Sequence, residues 1–336
     1  MKGITLSYFL RRLGIFFFTI WLAATLIYII PRVAPGDPIA SMVARMTQSA
    51  GYVENSDAII EGWRERFGLD DPWHIQYLRY MRNLITFDLG YSLSGFPTTV
   101  GSIIARAMPW TIGLLSISTF LFFVIGNLLG AFLAWKRTPV FFKFLIPVTM
   151  IFTSVPALLL ALLLIYVFAF QLDLFPMIGA YGRGLEPSLT WPFIKSVIWH
   201  GFLPAMSIVI VTFGFWTLGM RGMMITVEGE DYMTLAQAKG LNPFYVLYRY
   251  MIRNAILPQI TALALTLGTL VGGQVLVEFI FSYRGMGNAI FRAIRDQDYT
   301  VIQGTSFVLI LATALAVFIL DMLYPLIDPR ISHEGR

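Results

Sequence analysis

Six stretches of this 336-residue chain carry no Asp, Glu, Lys or Arg: Leu13 to Ile30, Thr111 to Trp135, Phe144 to Phe170, Gly201 to Met220, Ala255 to Val277 and Thr300 to Leu320. A membrane-crossing helix needs roughly 20 apolar residues, so each stretch is long enough to span a bilayer. The pattern predicts an all-α polytopic membrane protein with six transmembrane helices. Composition agrees: 57% of residues are hydrophobic, only 13% are charged, and the mean hydropathy is +0.72. A soluble globule of this size must clothe its surface with polar side chains, and there are too few here to do so. A β-barrel is excluded by runs such as Leu158 to Ile165, which are apolar on every face rather than alternating. With no cysteine, disulfide frameworks, thiolate metal sites and cysteine nucleophiles are all ruled out.

The formal charge of +5 reflects orientation rather than a nucleic-acid partner, because basic residues resist translocation and collect in short cytoplasmic connections. Lys2, Arg11 and Arg12 precede the first stretch, Lys136, Arg137 and Lys143 fall between the second and third, and Arg221, Lys239, Arg249 and Arg253 between the fourth and fifth. Arg330 and Arg336 lie in the tail, while the opposite short loops hold only Arg183, Lys195, Arg284, Arg292 and Arg295. Both termini are therefore expected in the cytoplasm of a multi-pass cell (inner) membrane protein. The first stretch is too long for a signal-peptide core, and Pro31-Arg32-Val33 is not a small-residue cleavage site, so an uncleaved anchor is expected.

Four regions follow. Residues 1–30 form a cytoplasmic segment and first helix, and 31–108 an external segment. Residues 109–324 form a core with helices two to six and a cytoplasmic loop at 221–256, and 325–336 the tail. In the external segment Trp63, Phe67, Trp73, Tyr77, Tyr80 and Met81 recur at near-helical spacing, which predicts short amphipathic helices on the membrane or against the bundle, forming a solvated lid or a binding surface.

The loop at 221–256 carries the sharpest local signals. Glu230-Asp231-Tyr232 opens a helix with acids where the dipole favours them, Lys239 sits in its last turn, and Gly240 ends it. Asn242-Pro243 reads as an N-cap with proline at the first helical position. A second helix, amphipathic through Phe244, Leu247, Tyr248 and Met251, then leads into helix five, and Arg253 to Pro258 closes the unit. This is a helix-turn-helix knob, suited either to a partner's groove or to lying on lipid.

Glu230-Asp231-Tyr232, Ala236-x-Ala238-Lys239-Gly240-Leu241 and Arg253-Asn254-Ala255-x-Leu257-Pro258 resemble the ATPase-coupling loop of permease subunits in binding-protein-dependent ABC importers. The likeness is to the dipeptide, oligopeptide and nickel branch, and to its subunit with a long first external loop. It extends along the chain through Ala34-Pro35-Gly36-Asp37-Pro38, Phe67-Gly68-Leu69-Asp70-x-Pro72, Gln76-Tyr77-Leu78-Arg79 and Asp88-Leu89-Gly90-x-Ser92. It continues through Glu278-x-Ile280-Phe281-Ser282, Gly285-x-Gly287, Asp298-Tyr299-x-x-x-Gln303-Gly304 and Asp328-Pro329-Arg330-Ile331. Gln237 stands where such loops usually have Arg, Tyr250-Met251 replaces His-Ala, Phe87 replaces Gly, and Tyr283-Arg284 replaces Trp-Pro. The resemblance implies a type I ABC importer permease fold and a non-enzymatic transport subunit forming the translocation path for small peptides. Oligosaccharides, nickel or glutathione are alternative cargoes. It also implies as partners a second, homologous permease, two cytoplasmic ATPases holding ATP and Mg, an external solute-binding protein, and membrane lipid.

Glu278, at the edge of the fifth stretch, is a functional candidate because a carboxylate at membrane depth is costly. A structural role, reaching water or pairing with Arg284 to hold the external gate region, weighs above direct substrate contact. Gly126-x-x-x-Gly130 and Gly268-x-x-x-Gly272 with Gly273 predict close helix packing. Phe213, Phe215 and Trp216 read as packing or lipid contact before a sugar-stacking platform. There is no G-x-x-x-x-G-K-[ST] and no H-E-x-x-H, and His74, His200 and His333 are scattered. The chain therefore presents no ATP cradle, catalytic residue, cofactor site or metal site of its own. Two rivals remain: a membrane enzyme, for which the spans lack an acid, histidine or serine-lysine pair, and a secondary transporter, which would show broken helices and ionisable midplane residues.

Overall fold

The computed structural model describes residues 6–33, 61–62 and 71–327, with the side-chain environments of 31, 264–265, 267–274 and 323–327 left aside. Among the described residues the chain is all-α, with one isolated bridge between Tyr91 and Thr99. The helices are α1 (Leu6–Val33), α2 (Trp73–Ile85), α3 (Val100–Ala134), α4 (Leu145–Ser154), α5 (Ala157–Leu164) and α6 (Trp191–Glu228). They continue as α7 (Asp231–Ala238), α8 (Pro243–Val246), α9 (Arg253–Ile280), α10 (Met286–Arg295) and α11 (Tyr299–Ile327). The chain forms two compact units, one from residues up to Pro109 together with those from Arg284 onward, the other Trp110–Tyr283.

Four helices among the described residues are long and apolar enough to cross a membrane: Leu6–Ile30, Val100–Ala134, Trp191–Glu228 and Tyr299–Met322. The expected third span, Phe144 to Phe170, is not one straight helix. Val140–Ser154 and Ala157–Gln171 meet at a bend of 102°, and counting that pair as one span gives five. Proline explains the break. Pro156 clashes with a helical conformation in the residue before it, and Val155 accordingly takes φ −90° and ψ 125°. An inventory of charges cannot see this, because the break is wholly apolar. The fifth expected stretch, 255–277, lies within the helical backbone of α9, and the Gly268–Gly272 motif falls outside the described side chains. Six spans are therefore not reached among the described residues.

In the first unit α1 and α11 run antiparallel. At one end the Tyr8 hydroxyl donates to the Asp321 carbonyl at 2.9 Å, and Arg12 pairs with the Asp321 carboxylate at 3.1 Å. At the other, Gln303 Nε2 donates to the Ile27 carbonyl. The start of α1 and the end of α11 thus share one end of the unit. The expected external helix is present as α2, docked on the last turns of α1: Tyr77 bonds Thr25 at 2.8 Å and Tyr28 donates to the Trp73 carbonyl at 2.8 Å. Trp63, Phe67 and the motif residues 34–38, 67–70 and 328–331 lie outside the described residues.

In the second unit α3 and α6 run in the same direction. The Gly126 and Gly130 pair makes this packing possible. A Cβ on Gly126 would sit 2.6 Å from Trp216 Cβ and 2.8 Å from the Phe213 carbonyl, and one on Gly130 would press on the Thr217 carbonyl and Met220. Of the three aromatics noted in the sequence, Trp216 is fully buried and stacks on Phe122, while Phe215 faces outward. The core here is built from Phe122, Leu160, Leu164, Ile208, Trp216 and Val277.

Candidate functional site: the interhelical knob

The knob forms at the end of the second unit where α3 and α6 finish. Lys136, just past α3, pairs with Glu228 at the end of α6 at 2.8 Å, and the Trp135 and Phe244 rings meet at 5.0 Å. The two connections singled out as basic, 136–143 and 221–253, therefore lie at the same end.

Each turn of the knob follows from its residues. Glu230 is the N-cap of α7 with φ −77° and ψ 144°, and Asp231 occupies the first turn, where its charge meets the helix dipole. At the other end Lys239 is the C-cap and Gly240 takes φ +65°. The Gly240 N–H donates to the Gln237 carbonyl at 2.9 Å and the Leu241 N–H to that of Ala236 at 3.4 Å. That pair of bonds is the Schellman closure, which needs a left-handed residue at this position. Asn242 then caps the next segment, its side chain accepting from the Phe244 N–H at 2.9 Å, with Pro243 in the first turn.

The next segment departs from the expected amphipathic helix. Only Pro243–Val246 is α-helical, and Leu247–Ile252 winds as a π-helix before α9 continues to Ile280. A π-turn closes i→i+5 bonds and takes more residues per turn, so the α-helical spacing of Phe244, Leu247, Tyr248 and Met251 does not describe one face. Val246 and Met251 are buried and Leu247 is half-buried, while Phe244 and Tyr248 point outward. Pro258 lies inside α9 rather than at an end, on its exposed side.

Two motifs distant in sequence meet at Tyr232. Burial, then the neighbouring Glu230 charge, raise its hydroxyl above the ordinary value, opposed by a hydrogen bond with Asn254. Beneath α7 lies a socket that sequence reading did not identify. Met233 and Ala236 on the helix are buried against Ala131, Met220, Met224, Val246, Met251 and Ala255, with Leu241 packed alongside. Spacing alone held the clue, since Met233 and Ala236 are i, i+3 on the helix and Met220 and Met224 are i, i+4 on α6. The outer face of α7 presents Glu230, Asp231, Tyr232, Leu235, Ala238 and Lys239 to its surroundings, and Leu235 is 56% exposed. A capped helix with an acidic start, an apolar ridge and a cationic end has the surface that a docking element needs. Among the described residues no three His, Asp or Glu side chains are grouped to hold a metal ion.

Glu278 lies far from this knob, in the last turn of α9, and is 1% exposed. It is enclosed rather than reaching water at the helix end. Its carbonyl accepts from the Tyr283 N–H at 2.8 Å. Burial and then the Glu278 charge push the Tyr283 hydroxyl up to about 12. His200, one of the scattered histidines, bonds the Ser196 carbonyl one turn back within α6 at 2.8 Å.

Residues 126–333 match the family described as binding-protein-dependent transport system inner membrane component. A putative peptide permease protein of Brucella suis biovar 1 (strain 1330) is 32% identical over 329 residues, covering 97% of this chain and 99% of the relative. The dipeptide transport system permease protein of Bacillus subtilis (strain 168) is 29% identical, covering 96% and 97%. A glutathione transport system permease protein of Escherichia coli O6:H1 is 30% identical, covering 98% and 100%.

Proposed function

Because the chain belongs to the family of inner membrane components of binding-protein-dependent transport systems, we propose that it is a permease subunit of an ATP-driven importer carrying small peptides. The observation that carries this reading is likeness along nearly the whole of both chains to relatives named for peptides, dipeptides and glutathione. Those names favour peptides over oligosaccharides as cargo. The partners in this reading are a second, homologous permease, two cytoplasmic ATPases that bind ATP and Mg, and an external solute-binding protein. Both chain termini and the knob face the cytoplasm.

The knob is the coupling element. α7, with Glu230, Asp231 and Tyr232 at its start and Lys239 at its end, docks on an ATPase through its exposed ridge. The capped turn at Gly240 and Leu241 and the methionine socket under Met233 and Ala236 keep it a rigid body. Closure of the ATPase pair displaces α7, and the displacement passes through the socket to α6 and through α8 to α9, tilting the bundle. The chemistry of ATP hydrolysis occurs on the partners, and this chain converts it to movement. Glu278 serves in the closed arrangement at the far end of α9.

The secondary-transporter alternative has one feature in its favour, the broken span at Val155-Pro156. The charge-free spans and the family membership weigh against it. The test is to purify the tagged chain in mild detergent, identify what accompanies it, and reconstitute the assembly in vesicles. Recovery of two ATPases and a second permease, with ATP-dependent uptake of a labelled dipeptide given the binding protein, is the expected result. A homo-oligomer whose uptake follows an ion gradient and ignores ATP would overturn the reading.

A further inference from the structure

At the end of the second unit remote from the knob, four aromatic rings from four different segments converge. Trp110, about three turns into α3, stacks on Tyr181 of the 172–190 connection with centroids at 5.4 Å and planes at 29°. Phe193, in the first turn of α6, packs on both, at 6.5 Å from Trp110 and 5.1 Å from Tyr181. Tyr283, three residues beyond α9, meets the Trp110 ring edge-on at 5.9 Å and 87°. Hydrogen bonds fix the backbone around them: the Gly179 N–H donates to the Phe281 carbonyl and the Gly182 N–H to the Ser196 hydroxyl, both at 2.8 Å.

The knob and this cluster are the two ends of one helical path. From the Asn242 cap the chain runs through α8, the π-turn and α9 to Ile280 with no non-helical residue, and Tyr283 follows after the turn at Phe281 and Ser282. A displacement applied at the knob therefore travels through continuous helical backbone to Ile280, and the hydrogen bond from the Tyr283 N–H to the Glu278 carbonyl ties Tyr283 to the last turn of α9. The cluster itself is held by offset and edge-on ring contacts, the arrangements that aromatic pairs prefer. Resting on the importer reading above, we propose that Trp110, Tyr181, Phe193 and Tyr283 form an aromatic clasp that shuts this end of the 110–283 unit. Tyr283 is its moving member, withdrawn by α9 when the knob is displaced. Tyr283 is thus a positioning residue for transport, with Glu278 setting the turn from which it projects.

The chain has no cysteine of its own, so spin labels report only from positions chosen for them. Ile112, on α3 beside the clasp, and Leu276, on α9, are exposed and outside the four rings. The experiment uses the assembled importer with cysteine-free partners and labels at Ile112→Cys and Leu276→Cys. The distance is measured without nucleotide and with a non-hydrolysable ATP analogue. A lengthened distance in the nucleotide-trapped state is expected. In parallel, Tyr283→Ala is expected to raise ATP hydrolysis severalfold in the absence of binding protein and to lower uptake per ATP, with Tyr283→Phe close to wild type. An unchanged distance in an importer that transports normally overturns the clasp and leaves the importer reading standing, as does a Tyr283→Ala chain coupled like wild type. Should Tyr283→Ala fail to fold, the label distance decides alone. An assembly that neither recruits nor stimulates an ATPase overturns the importer reading, and the clasp with it.

Discussion

The Ser92 hydroxyl donates to the Asp298 carboxylate across 206 residues of sequence. The Ser94 hydroxyl at 2.8 Å and the Ser94 N–H at 2.9 Å add to the same oxygen, while the Val301 N–H reaches the other at 3.1 Å. One buried carboxylate thus caps the start of α11 and holds the turn that precedes α3. Two sequence motifs, Asp88-Leu89-Gly90-x-Ser92 and Asp298-Tyr299-x-x-x-Gln303-Gly304, are halves of this one joint, since Gly304 also packs against Leu89 and Val100. Asp298→Asn should cost about 1–3 kcal/mol, because an amide accepts at only one of its two terminal atoms and leaves the Ser94 or the Val301 N–H facing a donor. A lower unfolding temperature in detergent checks it, and a variant melting with wild type removes the carboxylate from this role.

The same group makes a pH prediction with a definite sign. Burial raises the Asp298 carboxyl, but the bonds from Ser92, Ser94, Thr300 and Val301 together outweigh it and hold the group below its ordinary 3.8. A carboxyl depressed by folding contributes stability that is complete above the unfolded value and is lost as pH falls through the folded one. The gap in unfolding temperature between wild type and Asp298→Asn should therefore stay constant from pH 8 to 5 and close only below 3.8. A gap that shrinks between pH 7 and 5 would mean the carboxyl is raised rather than lowered.

Two helix glycines predict opposite outcomes for the same substitution. Gly130→Ala puts a methyl group onto the Thr217 carbonyl and within 2.8 Å of Met220 Cβ, so α3 and α6 must separate and the protein should lose stability. Gly222→Ala, on α6, meets nothing within 4 Å and should be neutral or gain up to about 1 kcal/mol from helix propensity. Thermal unfolding of the two variants side by side tests the packing, and equal behaviour would contradict it.

What could be read in advance followed from interactions local in sequence. The Gly240 stop and the Asn242 cap are short-range effects, and the structure places both where the residues indicate. A scan for charges is blind to the bend at Val155-Pro156, because a proline among apolar residues leaves the run uncharged. The π-turn at Leu247–Ile252 escapes a reading at period 3.6, because its wider winding shifts side chains off the α-helical face. Asp298 and the socket around Met233 depend on contacts between segments far apart. The sequence lists their residues but not which of them meet.

The methionine socket makes its own prediction. Met233 is fully buried among Met220, Met224 and Met251. Truncation by Met233→Ala should cost about 2–5 kcal/mol by leaving a cavity. Met233→Leu, of similar volume, should cost less than about 1.5 kcal/mol. If the socket seats the coupling helix, Met233→Ala should also speed proteolytic cleavage at the 229–242 loop, whereas Met233→Leu should not. Cleavage of both at the wild-type rate would show that α7 holds its place without the socket.

Gly240 tests whether backbone shape or bulk governs the turn of the knob. Its φ of +65° lies in the left-handed region, yet a Cβ there would meet nothing within 4 Å. A side chain is therefore penalised through strain, about 1–2 kcal/mol for an ordinary residue, and not through collision. β-Branched residues tolerate this conformation worst and asparagine best among the non-glycines. The expected order of coupled uptake is Gly240 and Gly240→Asn near the top, Gly240→Ala below them and Gly240→Val lowest. In the Val variant ATP hydrolysis should persist while uptake per ATP falls, because the Schellman closure that orients α7 against Asn242 is lost. Measured in reconstituted vesicles, a decline that tracks side-chain volume, with Asn worse than Ala, would place the constraint in a docked partner's surface instead of in the turn.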